Sequence, residues 1–378
     1  MQEFLTALGK LAPSLGRLAM TLGALVTLPG AVPFEGKYRP ALPGWRYEFP
    51  RDHASHPAFQ TEWWYYTGNL SARGRELGYQ VTFFRVGLDP ARAASASAWA
   101  PHTVYFAHAA LTDVTRDRYL HEKRVSRPAL GLAGADSVRY RAWIGDWSAG
   151  LADDGRTHRI RIPADGFLLE LDLMPSKPVV IHGTDGISRK SASVGRASHY
   201  ISYTRMTTTG RIAAGGDTLA VTGRSWMDHE FGSSQLSRDQ VGWDWFSLQL
   251  DDGRELMLYR LRLKDGSDEP FSSGTLVGRD GRTRHLELKD FALAGDRPWT
   301  SPHTGARYPL RWRVQVPSEG LDLTVEARVR DQEMVSPPPI PLAYWEGAVT
   351  VRGTSRDTPI TGLGYVELTG YSGTLPGF

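Results

Sequence analysis

The stretch WDWFSLQLDDGRELMLYRLRL, residues 243–263, decides the fold class of this chain. On both sides of the polar segment 251–254, apolar and polar residues alternate with a period of two, which is typical of half-buried β-strands. A short segment containing Asp-Gly between two such runs favours a hairpin turn. We therefore predict two antiparallel strands joined by a tight turn.

The same alternation continues along most of the chain after about residue 75. Further hairpin turns are predicted at residues 153–156, 164–166 and 317–320. After the N-terminal segment, no apolar stripe with helical spacing is longer than two turns. The pattern predicts an all-β protein built from antiparallel sandwiches or barrels, and a barrel of sufficient size could hold a ligand.

The chain has 378 residues, which suits two domains better than one core. The polar segment SSQLSRDQVG, residues 233–242, separates two strand-rich halves. We predict a leader at residues 1–45, an N-terminal domain at 46–235 and a C-terminal domain at 236–378.

Composition excludes several function classes. The net charge is +3 without a stripe of Lys or Arg, so nucleic acid is not an expected partner. The absence of cysteine excludes disulfides, thiolate metal sites and a Cys nucleophile.

His53 and His56 form an HxxH pattern without further ligands nearby, and we interpret them as solvated loop histidines. No metal site is predicted.

The N-terminus resembles a secretory signal. Lys10 and Arg17 precede the apolar run at residues 18–32, and small residues near Ala31 offer a cleavage site. The run is too short and interrupted to indicate a membrane span with certainty. We expect a periplasmic or secreted protein; an uncleaved anchor and an unstructured leader are the alternatives.

The segment GRSWMDHEFGSS, residues 223–234, holds three consecutive ionisable residues. Because side chains alternate across a strand, His229 falls on an apolar face, whereas Asp228 and Glu230 share the opposite face. A histidine satisfied by a backbone partner at the edge of a core is the alternative to a functional role.

Downstream, Asp244 shares a face with apolar residues, and Trp243 and Trp245 share the other. A buried aspartate is costly to ionise unless it is paired. We predict a pair between His229 and Asp244. This pair could be a structural ion pair or an acid–base couple, and the sequence does not decide between the two.

The segment TEWWYYTGNL, residues 61–70, places Glu62 and Trp64 on one face of a strand and further aromatic rings on the other. A strand with two aromatic faces cannot be half solvated. One face is expected to pack the first domain's core, and the other to line a ligand cavity or a domain contact. His108, in FAHAALTD, also falls in register with apolar residues. These features together predict an aromatic pocket with a few ionisable groups.

Several blocks together resemble the AttH and carotenoid 1,2-hydratase family of lipocalin-like proteins. The resemblance extends from about residue 48 to the C-terminus, and its blocks are FPRDHASHPAFQTEWWYYTGNL, FAHAALTD, SHYISY, GRSWMDHEFGSS and GWDWFSLQLDDGRELMLYRLR. It implies two lipocalin-like β domains with a ligand pocket near their junction. The family contains carotenoid and kievitone hydratases, fungal Diels–Alderases, and exported bacterial members encoded beside ABC transporter genes.

The resemblance also implies roles for individual residues. Carotenoid hydratases are thought to use a His followed by an aromatic, which His229 and Phe231 match, and a Tyr two residues before an Asp. Tyr259 lies at the right distance, but Leu261 stands where the acid is expected. This departure argues against carotenoid hydration itself, and the exported-type leader favours the bacterial AttH branch.

We therefore predict an exported protein that binds an apolar polyene, isoprenoid or lipid-like molecule and hydrates a C=C bond. Asp244 or Glu230 would donate the proton and His229 would handle water, without metal or organic cofactor. The alternatives are a non-catalytic carrier or accessory protein of an ABC exporter, and a pericyclase that shapes a polyene. The predicted catalytic residues are His229, Asp244, Glu230 and Asp228, and the predicted ligand-binding residues are Glu62, Trp64, His108, Tyr200, Trp243, Trp245 and Tyr259.

Overall fold

The computed structural model describes residues 38–88, 102–233, 236–336 and 343–373. This part of the chain contains two antiparallel sheets and four single-turn 3-10 helices, at Arg51–His53, Ala129–Gly131, Leu288–Asp290 and Pro317–Glu319. None of its helices is long and apolar enough to cross a membrane. The predicted leader lies almost entirely outside the described residues.

The first sheet is formed by the strands that precede residue 233. They are β1 Thr61–Ala72, β2 Arg75–Gly87, β3 Thr103–Asp113, β4 Arg118–Ser126, β5 Ala133–Ala135, β6 Arg141–Ile144, β7 Trp147–Leu151, β8 His158–Ala164, β9 Phe167–Pro175, β10 Val180–Ile181, β11 Ser188–Arg189, β12 Ala197–Ala214 and β13 Asp217–Gly232. Their order is β4-β3-β2-β1-β13-β12-β9-β8-β7-β6-β5, with β10 and β11 paired to β12.

The second sheet is formed by the strands that follow residue 239. They are β14 Gln240–Leu250, β15 Glu255–Leu263, β16 Ser273–Val277, β17 Thr283–Glu287, β18 Ala292–Thr300, β19 Arg307–Val316, β20 Leu321–Ala327, β21 Glu333–Val335, β22 Ala343–Ser355 and β23 Thr358–Thr369. Their order is β17-β16-β15-β14-β23-β22-β20-β19-β18, with β21 paired to β22.

The predicted all-β, lipocalin-like fold is confirmed. The first sheet curls nearly into a barrel and the second into a half-barrel. The predicted hairpin at residues 243–263 is formed by β14 and β15, which pair from Gln249–Glu255 outward. The change of sheet between Gly232 and Gln240 falls within the polar segment 233–242, while the domain bounds themselves stay a prediction.

Alternation along the strands creates one apolar core for each sheet. Trp64 and Tyr66 of β1 and Met227 of β13 point into the first core. Phe246 and Leu248 of β14 point into the second. Each of these strands turns its other face towards the opposite sheet, so both of its faces are buried.

The two sheets meet through a third, mixed cluster. Tyr65 and Trp226 of the first sheet pack with Trp245 and Tyr365 of the second. Gly78 of β2 allows the close approach, since a Cβ atom there would lie 2.5 Å from the Tyr365 hydroxyl oxygen. The aromatic residues on the second face of β1 are therefore explained by the contact with the other sheet.

A buried charge network also joins the sheets. Glu255 of β15 is fully buried and accepts hydrogen bonds from Arg205 of β12 and from Lys177, whose Nζ lies 2.7 Å from its Oε2. Thr204 adds a longer bond of 3.2 Å to the same carboxylate. Two cations, Arg205 on β12 and Lys177 between β9 and β10, thus depend on one carboxylate of the second sheet.

Replacing Glu255 by Gln should lower the free energy of unfolding by about 3 kcal/mol, because Arg205 and Lys177 would be left largely buried without a counter-charge. Chemical denaturation followed by tryptophan fluorescence measures the change. Asp322→Asn is the matched control, since Asp322 pairs with Arg313 at an exposed position and should contribute about 1 kcal/mol at most. Equal effects of the two substitutions would contradict the proposed joining role.

Candidate functional site

A cavity of about 440 Å³ lies between the two sheets. Its volume falls in the range of small-molecule sites. Its lining combines aromatic rings with several ionisable groups. The lining residues are Gln60, Thr61, Trp63, Tyr65, Thr82, Phe84, Val86, His108, Lys190, Arg196, Tyr200, Asp228, Glu230, Leu236, Trp243, Trp245, Tyr259, Leu261, Tyr344, Glu346, Glu367 and Thr369. This is the aromatic pocket with ionisable groups that the sequence predicts.

Asp228 is the most completely organised acid in the cavity wall. Tyr200 donates a hydrogen bond of 2.6 Å to its Oδ2, and the Trp226 indole N–H donates one of 2.6 Å to its Oδ1, which also accepts from Ser202. Burial raises the pKa of Asp228 to about 7, although these three hydrogen bonds oppose the shift. Because the indole can only donate, protonation falls on Oδ2, beside Tyr200.

A hydrogen-bonded chain behind Ser202 fixes this arrangement. His182 Nε2 lies 2.7 Å from the Ser202 hydroxyl, and His182 Nδ1 lies 2.8 Å from the Thr275 hydroxyl. Burial lowers the pKa of His182 to about 3, so the imidazole is neutral at physiological pH. A neutral His182 can donate to Ser202, which in turn donates to Asp228, and this leaves the orientation of the carboxyl group well defined.

Glu230 and Lys190 form the charged pair of the cavity. Lys190 Nζ lies 3.1 Å from Glu230 Oε1, which also accepts a hydrogen bond from Ser198. Burial alone would lower the pKa of Lys190, but the Glu230 carboxylate raises it above its usual range. The ammonium group also lies 4.3 Å from the centre of the Tyr259 ring, a favourable cation–π contact.

Two further acids enter the cavity from the second sheet. Glu346 of β22 and Glu367 of β23 are directly opposite each other in the strand pairing. Trp243 donates a hydrogen bond of 2.7 Å to Glu367. Burial raises the pKa of Glu367 to about 7, against this hydrogen bond, and burial together with the neighbouring Glu367 raises the pKa of Glu346 well above its usual range.

The opposite face of β1 and β13 holds a separate ion network. The fully buried Glu62 carboxylate accepts hydrogen bonds from His229 Nε2, His56 Nδ1 and Arg85 Nε, each at 2.9 Å. Burial alone would raise the pKa of Glu62, but these groups hold it well below its usual range. The His229 ring stacks on Trp64 with centroids 4.9 Å apart. His229 is therefore a structural partner of Glu62 and does not line the cavity.

The interpretation of His53 and His56 as solvated histidines is wrong. Both are buried: His53 Nε2 lies 3.0 Å from the Tyr203 hydroxyl, and His56 contacts Asp52 as well as Glu62. Burial alone would lower the pKa of His56, but the Asp52 and Glu62 carboxylates raise it. Of the two histidines, only His56 joins the network of Glu62, and the sequence could not reveal this contact because Glu62 lies on the following strand β1.

Donor atoms of His56, Glu62 and His229 all lie within 4.8 Å of one another, close enough to hold a metal ion. The chemistry of the set does not fit one. Arg85 donates to the same carboxylate, and the raised pKa of His56 favours its cationic form, which has no lone pair for a metal. The three residues are better described as a closed ion network.

The predicted pair between His229 and Asp244 is wrong. Asp244 is fully buried on the core face of β14, where Arg260 Nη2 lies 2.7 Å from its Oδ2 and the Tyr371 hydroxyl 2.9 Å from its Oδ1. Arg262 lies 3.4 Å from the same carboxylate. The two residues belong to different sheets, and each is paired within its own.

Seven of the predicted residues line the cavity: Asp228, Glu230, His108, Tyr200, Trp243, Trp245 and Tyr259. Four lie elsewhere: His229, Asp244, Glu62 and Trp64. In both β1 and β14 the alternation was assigned correctly, but the residues of the core face were included with those of the cavity face. In β1, the residues that line the cavity are Thr61, Trp63 and Tyr65.

Lys190, Glu346 and Glu367 also line the cavity, and the sequence pattern did not predict them. A signal existed for the two glutamates, since each interrupts an apolar strand segment, YWEGAV and YVEL, in the same way as Asp228 does. Lys190 follows the two-residue strand β11, and a segment that short carries no periodicity.

Comparisons with known proteins agree with this fold. A model of the AttH-like family matches residues 40–371. The solved structure of NE1406 from Nitrosomonas europaea, described as AttH, is 35% identical, with a TM-score of 0.79 and coverage of 88% of this chain and 99% of that chain. Kievitone hydratase from Nectria haematococca is 15% identical, with a TM-score of 0.67 and coverage of 90% and 99%; at this identity the likeness shows the fold alone. No curated protein matches the chain.

The two aspartates should respond oppositely to replacement by Asn. Asp244→Asn should lower the free energy of unfolding by about 3 kcal/mol, because it leaves the partly buried Arg262 without its counter-charge and Arg260 with only the more distant Asp268. At pH values above 7, Asp228→Asn should raise the free energy of unfolding, since the folded protein then no longer buries an ionised carboxylate.

The raised pKa of Asp228 also determines how folding stability changes with pH. The folded protein holds the Asp228 proton up to about pH 7, whereas the unfolded chain loses it at its ordinary pKa of 3.8, so this group makes the folded state less stable as pH rises between these values. The loss is at most about 4 kcal/mol, and Asp228→Asn should remove it. Urea denaturation across this pH range measures both variants, and an equal pH slope in wild type and Asp228→Asn would contradict the assignment.

Proposed function

The chain belongs to the AttH-like family, and from this premise we propose that it binds an apolar small molecule in the cavity between its sheets and catalyses hydration or dehydration at a C=C bond. The observation that carries the proposal is Asp228, a buried carboxyl group with a pKa of about 7, held among aromatic walls. Such a group can be protonated at physiological pH and still give up its proton.

The proposed hydration begins at Oδ2 of Asp228, which transfers its proton to one alkene carbon. The positive charge that develops on the other carbon faces the aromatic rings of Trp63, Tyr65 and Trp245, whose negative π faces favour a cation. A water oxygen bonds to that carbon and its surplus proton returns to a cavity carboxylate. The carboxylate that takes up this proton passes it back to Asp228, so the overall reaction adds one water and both acids return to their starting states.

Glu230 is the nearest candidate for the returning proton. It lies two residues from Asp228 on the same face of β13, and Lys190 keeps a positive charge beside it. Acid–base catalysis requires one group that donates a proton and one that accepts it. Asp228, without a paired cation, suits the first role, and Glu230, paired with Lys190, suits the second. In this mechanism the proton donor is Asp228 in place of the predicted Asp244 or Glu230, and His229 has no chemical role.

Hydration is also the activity named for kievitone hydratase, which shares the fold at 15% identity. That likeness carries no residue roles, and the reaction proposed here rests on the cavity itself. A carrier would use the same walls without proton transfer, and a pericyclase would use them to shape a polyene. Both are outcomes of the experiment below.

The test starts with native mass spectrometry of the protein purified from its producing cell. We expect a retained apolar molecule in the wild type and its loss in Trp245→Ala, which removes a cavity wall. The identified molecule, incubated with the protein in heavy-oxygen water, should gain or exchange one heavy oxygen. Asp228→Asn should keep the ligand but slow this reaction by at least about 100-fold, the scale of general acid catalysis.

Two results would contradict the proposal. Retention of ligand without oxygen incorporation would favour a carrier, and formation of a ring without oxygen would favour a pericyclase. Glu326→Gln serves as a control, because Glu326 lies on β20 outside the cavity and pairs with the exposed Arg297; its turnover should match that of the wild type.

Export remains part of the proposal, since the apolar run at residues 18–32 lies outside the described residues. A reporter active only outside the cytoplasm, fused after residue 45, should give signal if export occurs; a cytoplasmic, inactive fusion would contradict it. Association with an ABC transporter permease, which the family resemblance implies, likewise stays a prediction.

A further inference from the structure

Glu346 and Glu367 face each other across adjacent antiparallel strands and both line the cavity. Side chains opposite each other in such a pair lie about 5 Å apart at Cβ, and like charges there are destabilising. A fold that places two carboxyl groups in this position needs a shared proton or a cation between them.

The described residues supply no such cation. The cationic side chains of the cavity lining are Lys190 and Arg196. Lys190 pairs with Glu230, and Arg196 donates to the backbone carbonyl of Leu236. The two carboxyl groups therefore lack the counter-charge that Glu62, Asp244 and Glu255 each receive within the protein.

Polar atoms at this end of the cavity are also left without partners. Oε1 of Glu346 and the hydroxyl of Tyr65 are buried and have no hydrogen-bond partner among the described residues. Each influences the pKa of the other, as a neighbouring charge and as a side-chain contact, so the two groups are close, although their contact does not have the geometry of a hydrogen bond. A donor atom of a ligand that reaches this end of the cavity would give both oxygens a partner.

Several titratable groups face the pair and bear on its charge. Tyr65, Tyr119, Tyr344 and Tyr365 remain neutral, since burial raises the pKa of each phenol. Of the acids of the facing sheet, Glu230 opposes ionisation of Glu367, and Asp228 does so once it loses its own proton near pH 7. His108 is neutral because burial, together with Lys123, lowers its pKa. The surroundings therefore favour a positive charge at this position.

Resting on the proposed function of the cavity as a ligand site, we infer that the Glu346–Glu367 pair is a subsite for a protonated amine, so that the ligand is an apolar molecule carrying one ammonium group. An ammonium has three N–H donors, which match the two carboxylates and the Tyr65 hydroxyl. The rings of Trp243 and Trp245, on the strand next to Glu367, offer the faces that cations prefer.

Binding of the ammonium group is linked to a proton. Because the cation stabilises the ionised carboxylates, the pair must release the proton it holds at low pH, and the affinity should rise with pH by up to about tenfold per unit. The rise should end near pH 7, the pKa that burial gives to Glu367. A hydroxyl group on the ligand would instead use the protonated pair, and its affinity should fall over the same range.

The test compares 2-naphthylethylamine with 2-naphthylethanol, which have the same apolar body. Isothermal titration calorimetry of the full chain, in buffers of different ionisation enthalpy, gives affinity and proton release together. We expect the amine to bind at least about tenfold more tightly than the alcohol above pH 7 and to release about one proton at pH 6. Glu346→Gln and Glu367→Gln should each reduce this preference, and Glu326→Gln should keep it.

Equal or tighter binding of the alcohol would overturn the inference and leave the cavity as a ligand site. Binding of neither probe would contradict the ligand site as well. Proton release by the wild type needs no variant, so the test stands even if a Glu→Gln substitution prevents folding; amine binding without proton release at pH 6 would overturn the subsite.

Discussion

The strand pair β1–β13 buries both of its faces, and the rest of the structure depends on that constraint. Successive side chains of a strand point to opposite sides, so neighbours in the sequence enter different environments. Met227 and His229 enter the first core and the ion network of Glu62, whereas Asp228 and Glu230 enter the cavity. A shift of one residue in the pairing would exchange the two sets.

The carboxyl groups divide by the partners that the fold gives them. Glu62 and Asp244 lie against arginines and form ion pairs that hold strands together. Asp228 is held by hydroxyl and indole donors without a paired cation, and burial raises its pKa to about 7. Residue type alone does not set the role of a buried acid, because desolvation favours the neutral form and a nearby cation favours the charged one.

This difference in partners explains how the ion network of Glu62 and the cavity acid Asp228 can lie so close together. The backbones of β1 and β13 separate Glu62 and His229 from Asp228, so an ion network and an acid without a paired cation lie one residue apart along β13. The network keeps β1 and β13 in register, and the register directs Asp228 and Glu230 towards the second sheet. The ion network on one face of the strand pair thus helps to position the acids on the other face.

The sequence predicts local features well and long-range partners poorly. Period-two alternation predicts the strands, the hairpin at residues 243–263 and the opposed faces of His229 and Asp228, because these depend only on neighbouring residues. It cannot show which face meets the other sheet, so Trp64 was expected in the cavity in place of Trp63 and Tyr65. Nor can it show that Arg260 reaches Asp244 or that Glu346 meets Glu367, since these contacts depend on strand pairing.

The most direct test of the account is the titration of the Asp228 carboxyl carbon by nuclear magnetic resonance, in protein labelled at aspartate and assigned by comparison with Asp228→Asn. The cavity environment predicts that this carbon titrates at about pH 7 and that an apolar ligand in the cavity shifts the midpoint. A midpoint near the ordinary aspartate value of about 4 would contradict the central claim that the cavity holds a protonated acid ready for chemistry.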